Sequence, residues 1–295
     1  MPELPDLTVY LECIEAKAMG APLEKLRLGN PFLLRTVQPR PDALAGRRLI
    51  GTCRIGKRLV LRFEGGVVAA IHLMILGRLH WKKPDAPLPK GSGLAAFDFP
   101  DGTLVLTESG SKRRASLHLF EDEAALAALD RGGLEVMTAT PGDFAERLRS
   151  QNRTLKRAFT DPAILSAIGN AYSDEILHRA RMSPFRQTKD LLDEEARKLF
   201  VATREVLDEW IVRLRAEAAR KGGWPEKVTA FRPEMAVHGK FGEPCPVCGT
   251  KVQRIVHADN ESNYCPRCQT GGRLLADRAL SRLLHESWPK TVDDL

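Results

Sequence analysis

The spacing of apolar residues predicts a helix close to the start of the chain. Pro5 suits the first turn of such a helix, because the N–H that proline lacks would have no intrahelical partner there. We expect the helix to run from Pro5 to about Met19. Apolar side chains recur with the 3.6-residue period at Val9, Tyr10, Cys13 and Ile14.

From about residue 48 to residue 120 the pattern changes to short β-like runs separated by Gly, Pro and Asp. Short runs at regular spacing are typical of an antiparallel sandwich or barrel. The weaker pattern of residues 121–150 predicts a transition with short helices. The predicted strands are Arg58–Phe63, Val67–His72, Gly77–Trp81, Leu94–Phe99, Thr103–Thr107 and Ser116–Phe120.

After residue 150 the apolar residues return to helical spacing. Residues 222–243 are rich in Gly and Pro, and a final amphipathic stretch from Leu274 to Leu284 predicts a packed terminal helix. The other predicted helices are Leu155–Phe159, Pro162–Ile168, Tyr172–Arg181 and Asp193–Lys221.

The composition is that of a globular protein with a mild preference for polyanions. The chain has 295 residues, of which 43% are hydrophobic and 28% charged, so collagen, coiled coil and disorder are excluded. A net charge of +7 favours a polyanionic partner, though only weakly by itself. No apolar run reaches the roughly 18 residues of a membrane span, and the acidic opening argues against a signal peptide. We therefore expect an intracellular protein.

Four of the six cysteines form two Cys-x-x-Cys pairs separated by sixteen residues. This spacing predicts one structural Zn²⁺ with four thiolate ligands and no open position. The alternative is two disulfides, which a reducing compartment disfavours. The other two cysteines, Cys13 and Cys53, lie in apolar patterns that predict packing roles. The predicted zinc ligands are Cys245, Cys248, Cys265 and Cys268.

Pro2 becomes the N-terminal residue once Met1 is removed, as is usual before a small second residue. Its secondary amine could then attack a sugar C1′ and form an iminium, and the positive end of the following helix favours the neutral, nucleophilic form. Glu3 could protonate the ring oxygen or shuttle protons. Taken alone, these residues are more simply an unremarkable tail.

Three further motifs accompany this terminus. Gly56-Lys57 leads into a strand, residues 156–161 are followed by residues 167–175, which contain the pair Gly169-Asn170, and the cysteine pairs come last. Together with Met1-Pro2-Glu3-Leu4-Pro5-Asp6, these motifs resemble the formamidopyrimidine-DNA glycosylase and endonuclease VIII family of base-excision repair enzymes. The resemblance follows the family's order and covers nearly the whole chain.

The resemblance implies an α+β fold of two domains. The N-terminal domain is then an antiparallel β-sandwich with flanking helices, and the C-terminal domain is helical, with a helix–two-turn–helix motif and a zinc-finger β-hairpin. DNA is expected in the cleft between them. The expected boundaries are 1–121 for the catalytic domain, 122–150 for an interdomain segment, 151–225 for the helix–two-turn–helix domain, 226–272 for the zinc finger and 273–295 for an extension.

The resemblance also assigns residues. Pro2, Glu3 and Lys57 are implied as catalytic, and Asp6 takes the place of a family glutamate. Lys156 is implied as a phosphate ligand, and Gly169-Asn170 offers main-chain N–H groups and a side-chain amide to a phosphate. The alternatives are an exposed strand lysine at 57, a solvated helix lysine at 156 and a helix cap at Asn170.

A base taken out of the DNA stack leaves a hole that apolar side chains must fill. The formamidopyrimidine branch fills it with a methionine from one loop and an arginine and a phenylalanine from a second. Here the second loop is Lys112-Arg113-Arg114-Ala115. The phenylalanine is missing and a lysine replaces the arginine, but Lys112 and Arg114 remain expected DNA contacts. The endonuclease VIII branch uses three consecutive residues of the first loop. Met74, Ile75 and Leu76 suit that role, although a buried strand is an equal alternative.

Predictions and departures from the family pattern also concern other parts of the chain. His72 is expected either to contact a phosphate or to pack. The family arginine five residues before the third zinc cysteine is Asn260 here, so we expect β-elimination without efficient δ-elimination unless Arg254, His257 or Arg267 compensates. A shortened passage between residues 223 and 237 favours endonuclease VIII-like substrates. The 27 residues after Cys268 predict either a packed brace or an element that docks an unknown partner.

The sequence therefore predicts a monomeric DNA glycosylase with AP lyase activity that acts on damaged double-stranded DNA, away from membranes. Oxidised pyrimidines or hydantoins are the favoured substrates. One alternative is an 8-oxoguanine or formamidopyrimidine glycosylase. Others are a catalytically weak, structure-specific DNA-binding protein and, least favoured, a zinc-ribbon transcription regulator.

Overall fold

The computed structural model describes residues 1–110, 112–225, 232–257, 260–276, 282–283 and 289–294, without the side chains of His257 and Asn260. The described residues form two compact units. The N-terminal unit contains Met1–Arg131 and residues 210–225, and the C-terminal unit contains Gly132–Glu209 and the described residues from 232 onward.

Two four-stranded antiparallel sheets form the N-terminal unit, in the orders β2-β3-β4-β8 and β1-β6-β7-β5. The helix α1 precedes them as Leu4–Ala18. The expected α+β class with N-terminal antiparallel sheets is confirmed. The strands are β1 (Lys25–Leu28), β2 (Leu49–Ile55), β3 (Arg58–Phe63), β4 (Val68–His72), β5 (Gly77–Lys82), β6 (Gly93–Phe99), β7 (Gly102–Glu108) and β8 (Ser116–Phe120).

The main core of this unit joins α1 to the inner faces of both sheets. Leu7 and Ile14 of α1 belong to the same buried cluster as Leu61 of β3 and Leu104 of β7. A smaller cluster covers the other face of β3 and β4, where Val60 contacts residues of a 3₁₀ helix. Successive side chains of a strand point to opposite faces, so burial of both faces explains why β3 and β4 carry apolar residues at consecutive positions.

Two strands, β1 and β2, have no counterpart among the runs identified from the sequence. Strand β1 has only four residues, and β2 carries Gly51, Thr52 and Arg54 among its apolar positions. Both lie at the edge of their sheets. Edge strands bury less surface, so their apolar pattern is weak.

Five α-helices and one hairpin form the regular structure of the C-terminal unit in its described part. The hairpin is β9 (Gln253–His257) with β10 (Asn260–Tyr264). The helices are α2 (Pro141–Arg149), α3 (Leu155–Thr160), α4 (Asn170–Arg179), α5 (Asp193–Arg220) and α6 (Pro266–Thr270). Short 3₁₀ helices lie at Pro31–Leu33, Pro41–Leu44, Glu64–Gly66, Glu123–Leu129, Thr188–Asp190 and Val292–Asp294.

The predicted helix over 162–168 is wrong. The backbone there bonds to a distant segment instead: Leu134 N–H donates to Ile164 (2.9 Å), and the Leu134 carbonyl accepts from Ser166 N–H (2.9 Å). Ala167 also has a left-handed φ of 58°, which ends any helical run.

The long helix α5 is shared between the two units. Leu214 and Ala218 near its end pack on Val9 of α1. The expected domain 151–225 therefore does not coincide with a compact unit, because residues 210–225 belong to the N-terminal unit. Tertiary contacts, rather than helix continuity, decide the division.

The start of the C-terminal extension packs on the hairpin, where Leu275 belongs to a buried cluster with Ile255 and Tyr264. Leu275 N–H donates to the hydroxyl of Tyr264 (2.8 Å), and Leu274 N–H donates to the carbonyl of Lys290 (2.8 Å). These contacts favour the packed-brace interpretation for residues 272–276 and 289–294. Of the predicted terminal helix, Leu274 and Leu275 are buried but not helical, and Leu283 is helical but 76% exposed. Leu280 and Leu284 lie outside the described residues. Among the described helices, none combines the length and apolarity needed to span a bilayer.

Candidate active site, DNA-binding elements and zinc centre

The start of α1 places three of the predicted catalytic residues together. Pro2 is buried, and Glu3 and Asp6 are each 3% exposed. Glu3 is the N-cap residue, and its N–H donates to the Asp6 carboxylate (3.0 Å). Asp6 thus holds the backbone that carries Pro2 and Glu3, which is a positioning role.

The chain-terminal amine at Met1 lies in a mixed electrostatic environment. Burial lowers the pKa of this amine below its ordinary value; Glu3 and Asp6 raise it, and Arg78 and Lys57 lower it further. Removal of Met1 would move the amine one residue, to the buried Pro2. A lowered amine pKa increases the neutral, nucleophilic fraction near neutral pH.

Lys57 and Arg78 reach this environment from the N-terminal sheets. Lys57 lies in the turn between β2 and β3, as the Gly56-Lys57 motif predicts, and Gly56 adopts a φ of 55° there. Arg78, near the start of β5, was missed by the sequence analysis. Its position one residue after Gly77 of the first loop is the signal that could have identified it.

His72 ends β4 and anchors the following turn. Its Nδ1 accepts the N–H of Met74 (3.1 Å), so the remaining hydrogen lies on Nε2. Burial, aided by the nearby Arg58 and Lys57, lowers the pKa of His72 to about 4. The imidazole is therefore neutral at physiological pH and offers one N–H donor.

The predicted first loop is a turn, and the buried-strand alternative is wrong. Met74 has a φ of 52°, while Ile75 is 58% and Leu76 43% exposed. Arg78 supports this turn through Nη1, which donates to the carbonyls of Ile75 (3.0 Å) and Gly77 (2.6 Å). Three consecutive side chains, two of them clearly exposed, thus stand on a turn whose backbone is held in place.

The second loop has an internal anchor. The buried Glu108 carboxylate accepts the N–H groups of Arg114 (2.9 Å) and Ala115 (2.9 Å). Lys112 and Arg114 are exposed, whereas Ser111 lies outside the described residues. The loop presents cations and no aromatic side chain over residues 112–115.

In the C-terminal unit, α4 begins at the Gly-Asn pair. Gly169 is the N-cap and Asn170 the first helical residue, so the proposed capping role of Asn170 is wrong. The Asn170 side chain is half-exposed. The helix N-terminus and this amide are compatible with the predicted phosphate contact.

Lys156 is placed differently from the sequence prediction. Its side chain is 9% exposed, and Nζ donates to the Asn170 carbonyl (2.7 Å), the Ser173 hydroxyl (2.8 Å) and the Asp174 carboxylate (2.5 Å). Three acceptors account for all three ammonium hydrogens. The ammonium is drawn inward because Asp174 is fully buried and requires a cation. The solvated-lysine alternative is wrong, and the phosphate contact stays a prediction.

Acidic residues of α4 also hold the segment that leads to the first zinc cysteine pair. The second Asp174 oxygen lies 2.8 Å from Nδ1 of His238. Glu175 accepts the N–H groups of Ala236 (2.7 Å), Val237 (2.9 Å) and His238 (2.9 Å). Both carboxylates are buried, so their partners are structural.

The four predicted zinc ligands converge. All four sulfur atoms lie within 4.8 Å of one another. Tetrahedral zinc with Zn–S bonds near 2.3 Å requires sulfur separations of about 3.8 Å, and Cys245–Cys268 (3.9 Å) and Cys248–Cys265 (3.4 Å) fit this. These separations exceed a disulfide bond of about 2.05 Å, so the disulfide alternative is wrong. The set holds one structural Zn²⁺. Cys13 and Cys53 are half-buried.

The hairpin beside the zinc site contains Asn260, whose backbone pairs with His257. The side chains of both residues lie outside the described part, so their predicted roles remain predictions. Arg254 stacks over Phe241 (4.7 Å) and lies 3.6 Å from Glu261. The shortened passage predicted between 223 and 237 includes residues 226–231, which also lie outside the described part.

Three family models match successive parts of the chain. The formamidopyrimidine-DNA glycosylase N-terminal domain matches residues 1–113. The formamidopyrimidine-DNA glycosylase H2TH domain matches 135–219, and the zinc finger found in FPG and IleRS matches 242–271. The C-terminal extension beyond 271 lies outside all three.

Relatives and solved structures that match nearly over their full length agree with these family matches. A formamidopyrimidine-DNA glycosylase from Heliobacterium modesticaldum is 32% identical and covers 91% of this chain and 100% of its own. A formamidopyrimidine-DNA glycosylase from Thermus thermophilus is 33% identical, and the match covers 92% of this chain and 100% of the relative. A structure of MutM in complex with DNA containing carbocyclic 8-oxo-G superposes with a TM-score of 0.79 at 25% identity. The match covers 91% of this chain and 100% of that one. A Lactococcus lactis Fpg complex with abasic-site DNA has the same fold, with a TM-score of 0.79 at 24% identity, over 91% and 99%. The chain belongs to the formamidopyrimidine-DNA glycosylase family of base-excision repair enzymes.

Proposed function

We propose that this chain removes oxidised bases from damaged double-stranded DNA and nicks the strand at the resulting abasic site. The observation that carries this proposal is the burial of Pro2 and Glu3 at the start of α1, in an environment to which Arg78 and Lys57 contribute positive charge. A buried secondary amine beside a carboxyl group is suited to Schiff-base chemistry at a sugar carbon.

In the proposed reaction, the Pro2 nitrogen forms a bond to C1′ of the damaged nucleotide. The bond from C1′ to the base breaks, and the base leaves with the electron pair and takes up a proton. Glu3 protonates the ring oxygen as the sugar opens to an iminium. Loss of a C2′ proton then expels the 3′ phosphate, which completes β-elimination, and water releases the sugar remnant from Pro2.

Different elements of the protein would bind the DNA backbone and fill the gap that the flipped nucleotide leaves in the double helix. Lys57 and the Nε2–H of His72 are proposed to contact phosphates from the N-terminal unit, and Asn170 from the C-terminal unit. Met74, Ile75 and Leu76 are proposed to occupy the space vacated by the flipped nucleotide. The exposure of Ile75 and Leu76 supports this role, because a wedge must be available on the surface before DNA binds.

The substrate preference is a finer proposal. We infer a preference for oxidised pyrimidines and hydantoins, supported by the three-residue first loop and by a second loop without an aromatic residue over 112–115. The names of the relatives favour the alternative, formamidopyrimidine or 8-oxoguanine removal. Asn260 supports a product that is mainly the β-elimination product.

Borohydride trapping tests the reaction on duplexes that carry 8-oxoguanine, thymine glycol, a hydantoin or an abasic site. The wild type should form a covalent complex. Two variants should lose it: Pro2→Gly, and a chain with an uncleaved N-terminal extension, in which the Pro2 nitrogen is a non-nucleophilic amide. The lesion that traps fastest identifies the substrate class. Failure to trap even the abasic duplex would favour a non-catalytic DNA-binding protein.

A further inference from the structure

The imidazole of His178 lies against the zinc site from the helix α4. Its Nε2 is 3.3 Å from Sγ of Cys245, within hydrogen-bonding distance for sulfur. His178 is 6% and Cys245 2% exposed, so water does not compete for this contact. His178 is not one of the four zinc ligands, and the reaction proposed above does not use it.

The chemistry of the two groups determines the direction of the hydrogen bond. A zinc-bound cysteine is a thiolate, which has lone pairs and no hydrogen. The ring nitrogen facing it must therefore donate. An N–H donor withdraws charge from the sulfur and orients its lone pairs, and partners of this kind control both the affinity and the geometry of metal ligands.

The contact also belongs to a set of attachments between α4 and the zinc region. Asp174 and Glu175, on the same helix, hold His238 and its neighbours through side-chain and backbone hydrogen bonds. Those contacts end seven residues before Cys245, whereas His178 reaches a ligand directly.

We propose that His178 is the outer-shell hydrogen-bond donor of the zinc site, and that its Nε2–H bond to the Cys245 thiolate retains the metal and ties α4 to it. The reaction at Pro2 plays no part in this contact. Zinc retention therefore tests the proposal even if the chain proves inactive on DNA.

The test uses the zinc-loaded full-length protein and the variants His178→Phe, which removes the donor, and His178→Gln, which keeps an N–H. His80→Gln is the matched control, because that half-buried histidine bonds to Thr107 in the N-terminal unit. We expect His178→Phe to release zinc to a chelator about 10- to 100-fold faster than wild type. The zinc-release rate of His178→Gln should lie closer to that of the wild type, and the rate of His80→Gln should equal the wild-type rate.

A cobalt-substituted series separates donation from packing. Loss of a hydrogen bond raises the energy of the sulfur lone pairs, so the thiolate-to-cobalt charge-transfer band of His178→Phe should move to longer wavelength and that of His178→Gln should stay. Wild-type release and an unmoved band in His178→Phe would overturn the proposal. Faster release with an unmoved band would also overturn it, since packing alone would explain that result.

The wild-type protein provides a measurement that does not depend on how the variants fold. Nitrogen-15 NMR of the zinc-loaded protein reports which ring nitrogen of His178 carries the hydrogen. The Nε2–H tautomer is expected. The Nδ1–H tautomer would place a lone pair against the thiolate and would contradict the proposal.

Discussion

The Lys156 ammonium lies 2.5 Å from the Asp174 carboxylate, with both side chains buried inside the C-terminal unit. A lysine that the family resemblance assigns to a DNA phosphate is thus engaged within the protein. Its bond to the Asn170 carbonyl connects it to the first turn of α4. The structure therefore favours a role for Lys156 in positioning Asn170.

Lys156→Met should destabilise the protein, because Asp174 would remain buried without its cation. A broken buried pair costs about 3–5 kcal/mol, measurable as a lower urea midpoint. Arg157→Met, an exposed change on the same helix, should alter stability little. If Lys156 instead contacts a phosphate, the variant will keep its stability and the salt slope of DNA binding will fall by about one.

Glu3→Gln should slow base excision about 100-fold or more, since the buried carboxyl is the proposed proton donor. Trapping on an abasic duplex should survive, because an abasic sugar is in equilibrium with its open-chain aldehyde, which the Pro2 amine can attack without a proton delivered to the ring oxygen. Single-turnover excision and trapping rates measure the two steps separately. Glu12→Gln, on the same helix but paired with Arg215 at the surface, is the control. An equal loss on both substrates would show that Glu3 serves the amine rather than the ring oxygen.

Arg78→Met should change the pH dependence of trapping. Burial chiefly lowers the pKa of the Met1 amine, and Arg78 lowers it further because a nearby cation disfavours protonation. We expect Arg78 to act in the same direction on the Pro2 amine that replaces it once Met1 is removed. Without Arg78 the amine pKa rises, and the neutral fraction at a given pH falls. The acidic limb of the trapping-rate profile should therefore move to higher pH. Arg40→Met, in an exposed loop, should leave the profile in place; an unmoved profile in Arg78→Met would contradict this assignment.

Alanine at Met74, Ile75 and Leu76 together should reduce excision from duplex DNA at least roughly tenfold, because unstacking a base step costs a few kcal/mol. The thermal midpoint should change little, since Ile75 and Leu76 are largely exposed already. Excision from single-stranded DNA, which has no hole to fill, serves as the internal reference. Phe32→Ala tests whether any exposed apolar residue has the same effect, as this side chain is 78% exposed. An equal loss on single strands would argue against a wedge.

The sequence by itself determined the features that depend on local pattern. Short β-like runs separated by turn residues located six of the eight strands of the N-terminal unit, because Gly, Pro and Asp mark the places where an antiparallel chain must turn. The Cys-x-x-Cys pairs specified the zinc ligands, since each pair supplies two thiolates from one turn. Pro5 and the apolar spacing that follows it located α1, and with it the position of Pro2 and Glu3.

Tertiary structure decided the features that depend on partners distant in the chain. Residues 162–168 are not helical because their backbone bonds to Leu134, and Lys156 points inward because Asp174 is buried eighteen residues away. The exposure of Ile75 follows from a turn that Arg78 supports. A run of apolar residues in the sequence does not distinguish such a turn from a buried strand. In each case a hydrogen-bond partner or a charge, brought close only by folding, outweighs the local preference.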